Sequence, residues 1–186
     1  LQTVLYTAKG QPSFMNIIEK FDLSVIDPTL SGTHPAFIIN GVEVSRILVG
    51  TYTASLINGE LLSLPNRQPS TPSLAAAVTA ARAGGDGFHV MTNAEWSAVQ
   101  MQCYALGFNP KGNNYYGRDA TDSTQYGRRV DGVSATAGIT TGTPVIYTGS
   151  GPVSFRHNNA YNGISDVTGN YNLLTPDVRP SVRCHR

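Results

Sequence analysis

The sequence predicts an α+β fold with two helices, a small mixed or antiparallel sheet and long ordered loops. Short apolar stretches separated by turn signals run up to residue 64, which is typical of strands. Two stretches between residues 71 and 107 carry apolar residues at helical spacing. Residues 109–172 hold short apolar pieces among Gly, Asn, Asp and Ser, which indicates ordered loops packed on a scaffold. Strands followed by helices, without regular alternation, favour α+β over a parallel α/β sheet.

Residues 1–30 are predicted to form an N-terminal extended arm or hairpin, and residues 31–186 to form one domain. Residues 3–6 and 14–18 are short apolar stretches of strand length. A Lys-Gly pair at residues 9–10 lies between them and signals a turn.

Two Asn-Gly pairs, Asn40-Gly41 and Asn58-Gly59, predict tight hairpin turns. Each pair separates two apolar stretches, so each predicts two antiparallel strands joined by a two-residue loop. The paired stretches are residues 36–39 with 42–44, and residues 52–57 with 60–64.

Start and stop signals predict two helices. Thr71 before Pro72 predicts an N-cap followed by proline at the first helical position. Two glycines at 84–85 are expected to close this helix. Thr92 and Glu95 form a capping-box pattern that predicts the start of the second helix.

The second helix has an apolar face that predicts its buried residues, and Gly107 is expected to end it. The residues at helical spacing are Trp96, Val99, Cys103 and Leu106. Trp96 is expected in the core rather than in contact with a ligand, and Cys103 is expected to be a buried thiol. A disulfide between Cys103 and Cys184 stays open, because the sequence says nothing about their geometry.

The composition is turn-rich and neutral-polar, with 13% charged residues and a formal net charge of +1. Soluble domains average about 25% charged residues. A composition of this kind suits a protein that acts outside cells through hydrogen bonds and aromatic faces. No basic block is present, which argues against nucleic acid as a partner. Arg128 and Arg129 are expected to be solvated or ion-paired.

No targeting or membrane segment is recognised in the sequence. No apolar run approaches the roughly 20 residues that span a bilayer, so membrane insertion is not expected. No signal peptide opens the chain, so we expect synthesis in the cytoplasm and release by cell lysis, as for a virion component.

Catalytic and metal-binding signatures are not found, so we expect no enzymatic activity, no cofactor and no metal. The chain lacks a phosphate-binding glycine loop, a paired Cys-x-x-Cys and a His-Glu-x-x-His motif. Its four histidines are too dispersed to predict a metal cluster. Aspartates in the loops are expected to form Asx turns, while calcium binding through their oxygens stays open. These aspartates are Asp119, Asp122, Asp131 and Asp166.

Two loop segments, residues 112–119 and 156–163, combine Asn and Gly with Tyr. Tyrosine and asparagine on loops are common in adaptable recognition surfaces. They are equally common in loops without a ligand, so composition leaves both interpretations open.

Several segments together resemble one family. Residues 87–96 (GFHVMTNAEW) and 163–170 (GISDVTGN) resemble two signatures of the formylglycine-generating-enzyme branch of the C-type-lectin-like fold. Residues 107–119 and the PAFIING segment at 35–41 are similar to phage-borne members of this branch. Those members include variable ligand-binding proteins that retroelements diversify, often attached to phage tails.

The resemblance implies a non-catalytic receptor- or ligand-binding protein, located on the virion surface or at a host cell surface. Its implied partner is a host cell-surface protein or glycan, with other virion proteins as a further possibility. In diversified members, adenine-directed mutation converts Asn codons into Tyr, Ser, Asp or His codons. The resemblance places the variable face just past the second signature. The candidate ligand-binding residues are Tyr171, Asn172 and Asn170, followed by Asn158, Asn159 and Tyr161.

Two other functions stay open. A formylglycine-generating-type oxidoreductase would use a cysteine pair in its C-terminal region, where this chain has Cys184 alone. A structural virion component without its own ligand is the second alternative. Family members also continue past the Gly-Asn pair into a longer region, so a segment between Asn172 and Arg179 is expected to be shortened or absent.

Overall fold

The computed structural model describes residues 1–171 and 175–176, and over these residues the fold is α+β. Seven short strands form three antiparallel sheets, and two α-helices follow them in the chain. The three-stranded sheet has the order β1 (Gln2–Tyr6), β2 (Pro12–Glu19), β5 (Arg46–Gly50). The two-stranded sheets pair β3 (Ile38–Ile39) with β4 (Val42–Glu43), and β6 (Ser55–Ile57) with β7 (Glu60–Leu62). The helices are α1 (Leu74–Arg82) and α2 (Asn93–Ala105).

The N-terminal residues form a hairpin that is part of the main sheet. Strands β1 and β2 pair in an antiparallel register with Gln2 opposite Asn16. Strand β2 then pairs with β5, and Ile18 lies opposite Ile47. Strand β2 lies before residue 30 and strand β5 lies after it, so the sheet spans the predicted boundary at residue 30. Ile18 of β2 is 2% exposed and belongs to the core.

Both Asn-Gly turns are present as predicted. Asn40 and Gly41 have φ of 51° and 79°, and Asn58 and Gly59 have φ of 51° and 82°. Two successive positive φ values are what a two-residue hairpin loop requires, which explains the Asn-Gly pairs. The predicted strand over 36–39 is wrong in its first half.

A short 3-10 helix (Pro35–Phe37) replaces that first half. The ring nitrogen Nδ1 of His34 accepts a hydrogen bond from the Ala36 N–H at 3.2 Å, which caps the turn. Phe37 is thereby turned into the core, where it is 0% exposed.

Helix α1 begins later than predicted. Ser73, rather than Thr71, is the N-cap, and its hydroxyl accepts the Ala76 N–H at 3.3 Å. The expected N1 proline, Pro72, therefore precedes the helix. Both Thr71 and Ser73 are good N-cap residues. Pro72 disfavours the helical conformation at Thr71, which favours the later start.

Helix α2 has the predicted capping box, in which Thr92 and Glu95 exchange side-chain to backbone hydrogen bonds. Gly107 ends the turn after the helix with φ of 62°. Val99 and Cys103 are buried as expected, and burial raises the pKa of the Cys103 thiol. Leu106 is 61% exposed, so its predicted burial is wrong, because the chain leaves the helix one residue earlier. Cys184, the candidate disulfide partner of Cys103, lies outside the described residues.

The core joins the main sheet, the 3-10 helix and α2. Trp96 is partly buried against this core, as expected, and Ile164 extends it into the loop region. The fully buried members are Ile18, Ala36, Phe37, Ile47, Val49, Ala98, Val99 and Ile164.

Two buried arginines organise the loops after residue 109, where the described chain contains no α-helix. Arg118 Nη1 donates hydrogen bonds to the carbonyl oxygens of Ala135, Thr136 and Ile139 at 3.2, 3.0 and 2.9 Å. A single guanidinium therefore ties three backbone positions together.

Arg129, whose side chain is fully buried, also ties several backbone positions of the loops together. Its Nη2 contacts Asp131 Oδ2 at 2.6 Å and donates to the Thr141 carbonyl at 2.6 Å, while Nε donates to the Thr143 carbonyl. The expected ion pair of Arg129 is confirmed. Arg128 is exposed and lies over the Tyr147 ring at 4.2 Å.

Neither α1 nor α2, which are the helices of the described residues, is long and apolar enough to cross a membrane.

Candidate ligand-binding cavity and loop

A cavity of about 460 Å³ is lined by the three-stranded sheet, the β6–β7 sheet, both helices and residues 164–167. Its walls are mostly apolar, and its volume falls within the range of about 300–1,000 Å³ that is typical of small-molecule sites. The elements contribute Met15 from β2, Leu61 from β7, Ala77 from α1 and Trp96 from α2.

Ser165 and Asp166 are adjacent buried polar residues in the cavity wall. They are 4% and 5% exposed. Their backbone is fixed by hydrogen bonds from Ser165 N–H to the Thr51 carbonyl at 2.7 Å and from Asp166 N–H to the Phe155 carbonyl at 3.0 Å. Asp166 has φ of 56°, a left-handed conformation that aspartate tolerates better than most residues.

Two side-chain oxygens in this wall are unpartnered. Asp166 Oδ2 accepts the Gly149 N–H at 2.8 Å, whereas Asp166 Oδ1 and Ser165 Oγ have no hydrogen-bond partner among the described residues. Buried polar groups are nearly always hydrogen-bonded, so two neighbouring exceptions in one cavity wall indicate a place for a further polar group.

Burial raises the pKa of Asp166 to about 6, against the opposing effects of the Gly149 hydrogen bond and the nearby Arg156 guanidinium. Arg156 is itself buried, donates to the Gly163 carbonyl at 2.9 Å and lies 5.9 Å from the Tyr52 ring centre. The carboxyl group in the cavity wall therefore changes charge close to neutral pH.

An ion pair lies on the α2 side of the cavity. His89 Nε2 is 2.9 Å from Glu95 Oε1, and hydrogen bonding to Glu95 raises the pKa of His89 to about 9 despite partial burial. The other carboxylate oxygen of Glu95 accepts the Thr92 N–H at 2.7 Å. The capping box of α2 thus holds a protonated histidine beside the cavity at neutral pH.

Of the sequence-predicted site residues, Tyr171 lines the cavity. Asn170 is tied into the loop framework, because its Oδ1 accepts from Asn113 Nδ2 at 3.0 Å and from the Ile146 N–H at 2.9 Å. Its Nδ2 donates to the Ile146 carbonyl at 3.2 Å, so every group of the amide is engaged. Asn172 lies outside the described residues.

The other three predicted residues lie together on a closed loop. A β-bridge between Arg156 and Ser165 closes its base. Within the loop, Asn158 accepts the Ala160 N–H at 3.2 Å and Asn159 is exposed with φ of 52°. Tyr161 is 86% exposed.

Contacts inside the protein hold this loop. His157 N–H donates to the Ile164 carbonyl at 3.0 Å, and His157 Nδ1 accepts the Ile164 N–H at 2.8 Å. Asn16 Nδ2 of strand β2 donates to the Asn162 carbonyl at 2.7 Å. Burial lowers the pKa of His157 to about 4, so the imidazole stays a neutral acceptor at neutral pH.

The structure thus places Tyr171 in the cavity wall, Asn170 in the loop framework, and Asn158, Asn159 and Tyr161 on the closed loop. Sequence reasoning did not predict the cavity. Asp166 was recognised only as a loop aspartate, and Trp96 only as a core residue. The unpartnered oxygens have no sequence signal, because they depend on which distant residues surround them.

Three of the four loop aspartates form Asx turns as predicted, whereas the prediction is wrong for Asp166, whose Oδ2 accepts the N–H of the distant Gly149. Asp119 Oδ1 accepts the Thr121 N–H at 2.9 Å, and Asp131 Oδ1 accepts the Val133 N–H at 3.0 Å. Asp122 does the same with the Thr124 N–H at 3.1 Å. Over the described part of the chain, no group of three or more His, Cys, Asp or Glu side chains could hold a metal ion.

The sequence matches no protein-family model, and no curated protein is significantly similar to it.

Proposed function

We propose that this chain is a non-catalytic ligand-binding protein of the C-type-lectin-like fold, which binds a receptor through its C-terminal loops. The observation that carries the proposal is the closed loop from Arg156 to Ser165, which presents a tyrosine that is 86% exposed. Exposed large aromatic side chains on a fixed loop are typical of recognition surfaces.

The way the loop is held favours binding. Its backbone is hydrogen-bonded to β2 through Asn16 and to itself through His157, so little ordering is required when a partner binds. Tyr161 has two rotatable side-chain bonds, and its immobilisation costs little entropy for a large contact area.

The placement of the two family-like segments supports the proposed fold. Residues 87–96 contribute His89 and Trp96 to the cavity wall, and residues 163–170 contribute Asp166. Two signatures that lie far apart in the chain therefore meet in space, which is expected if they belong to one structural unit.

The proposed setting is that of a phage or prophage variable protein, diversified by a retroelement and exposed on the virion, such as on a phage tail. Its proposed partner is a protein or glycan on the host cell surface. The neutral-polar composition, with 13% charged residues, suits recognition through hydrogen bonds and aromatic rings.

Diversification is tested by deep sequencing of the 3′ end of the gene in a natural population. We expect substitutions at adenine-containing codons around Tyr171 and Asn172, and uniform codons for Trp96 and for Asn170. Asn170 serves as the internal control, because its amide is engaged within the framework. A region around Tyr171 as uniform as the Trp96 helix would contradict diversification.

Binding is tested with intact bacterial cells of the community from which the gene is sequenced. Tyr161→Ala and Tyr171→Ala are each expected to weaken binding by about tenfold or more. Tyr104→Ala is the matched control, because Tyr104 is 72% exposed on α2 and outside the loop. Equal losses in all three variants, or no binding of the wild-type protein to any strain, would favour a structural virion component.

A further inference from the structure

We propose that the cavity is a second binding site, which takes a small apolar molecule carrying a hydroxyl group, such as a phenol or a cyclic alcohol. Its hydroxyl forms hydrogen bonds with Ser165 Oγ and Asp166 Oδ1, while its apolar body occupies the space against Trp96. This inference does not rest on the proposed receptor role. Tyr171 lines the cavity, but Ser165, Asp166 and Trp96, which carry the inference, are not among the proposed receptor-binding residues.

The distribution of unpartnered groups carries the first step. Three buried side-chain oxygens lack a hydrogen-bond partner among the described residues, and two of them belong to the neighbouring Ser165 and Asp166. The third, on Glu60, belongs to a residue that does not line the cavity. Two of the three unpartnered oxygens therefore belong to residues that line the cavity.

The side chains of Ser165 and Asp166 both lie next to Gly149. Asp166 Oδ2 accepts the Gly149 N–H at 2.8 Å, and a Cβ atom at Gly149 would lie 3.5 Å from Ser165 Oγ. Ser165 Oγ and Asp166 Oδ1 are both covered in this conformation, so both side chains must turn for a ligand hydroxyl to reach them. The rotation of Ser165 Oγ breaks no hydrogen bond, since it makes none.

The chemistry of the two groups selects a hydroxyl. A carboxylate only accepts hydrogen bonds, whereas a serine hydroxyl both donates and accepts. A ligand hydroxyl can donate to Asp166 Oδ1 and accept from Ser165, which satisfies both at once. An ammonium group can only donate, and it would share the cavity with the cationic His89.

The remaining walls fit an apolar ring. Tyr52, Phe88 and Trp96 supply aromatic surface, and Met15 and Met91 supply flexible side chains that adapt to ligand shape. Aromatic rings in contact prefer edge or offset arrangements, which contribute beyond the buried area itself.

The test compares p-cresol with toluene, which differ only by the hydroxyl group. Binding is followed by the fluorescence of Trp96, the single tryptophan of the chain, and by calorimetry. We expect p-cresol to bind roughly tenfold more tightly than toluene. Equal affinities, or binding of neither compound, would overturn the proposal.

The decisive variant is Ser165→Ala, which removes an unpartnered hydroxyl and is expected to leave folding intact. It should reduce the p-cresol preference several-fold while the toluene affinity stays unchanged. Ser123→Ala, at an exposed loop position, is the matched control and should behave as wild type. If Ser165→Ala keeps the wild-type preference for p-cresol over toluene, the ligand hydroxyl does not bind Ser165 and the proposal is overturned. Thermal unfolding of each variant verifies that the compared proteins are folded.

Discussion

Asp166 and His157 are buried titratable side chains near the loop base, and they affect folding in opposite directions as pH changes. Burial raises the pKa of Asp166 from 3.8 to about 6, so its stabilising contribution is complete below pH 3.8 and is lost as pH rises through 6. Burial lowers the pKa of His157 from 6.5 to about 4, so its contribution is complete above pH 6.5 and is lost as pH falls through 4. Over the same acidic range, one group therefore offsets the other.

Replacing the carboxyl group of Asp166 tests whether Asp166 and His157 have opposite effects on the pH dependence of stability. Asp166→Asn keeps an acceptor for the Gly149 N–H but cannot ionise. The change that it causes in the free energy of unfolding is therefore expected to be more stabilising at pH 7 than at pH 4, by up to about 3 kcal/mol. The variant should then lose stability steeply on acidification, because His157 acts alone. Urea unfolding at both pH values measures this. A variant effect that is the same at pH 4 and at pH 7 contradicts the prediction.

The N-terminus of α2 shows how an element can depend on pH through one side chain. Glu95 closes the capping box with Thr92 and also holds protonated His89. Since the pKa of His89 is raised to about 9, its contribution is complete below pH 6.5 and is lost as pH rises through 9. The His89 side chain is 52% exposed, so solvent screening keeps the contribution small.

His89→Ala is expected to destabilise the fold by about 0.5 kcal/mol at pH 6 and by less above pH 9. Thr92→Ala removes the N-cap and is expected to cost about 1 kcal/mol, with no such pH dependence. Chemical unfolding of both variants across this range compares them directly. If the effect of His89→Ala stays constant with pH, the ion pair does not stabilise the helix.

At the scale of the whole molecule, hydrogen bonds from buried arginines to backbone carbonyls hold the loops that have little regular secondary structure. The loops after residue 109 have few strand pairs, and Arg118 and Arg129 instead bind carbonyl groups that are 5 to 21 positions away in the chain. A guanidinium offers five donors in a planar fork, which suits this task better than a lysine ammonium.

Arg129→Lys is therefore expected to destabilise the protein by about 3 kcal/mol, because Asp131 and two carbonyls lose donors inside the protein. Arg128→Lys is the matched control. Its side chain is exposed over Tyr147, and we expect a change below about 1 kcal/mol. Urea unfolding gives the free energies, and hydrogen exchange over residues 131–143 shows whether the loss is local. Equal effects at both positions would contradict the assigned role of Arg129.

The sequence by itself determined the features that depend on neighbours in the chain. The Asn-Gly turns, the Thr92–Glu95 capping box and the α+β class follow from local conformational preferences and hydrophobic spacing. Errors occurred where two local signals competed, as with Thr71 and Ser73 for the N-cap of α1, or where the chain left an element, as at Leu106.

Only the tertiary structure decided the cavity and its polar wall. Ser165 is positioned by Thr51 and Asp166 by Gly149 and Phe155, and no local pattern encodes these pairings. Whether a buried oxygen has a partner depends on every residue that packs around it, so the unpartnered pair has no counterpart in composition or spacing. The division of the predicted binding residues between a cavity and an exposed loop has the same origin, because long-range hydrogen bonds set where each segment lies.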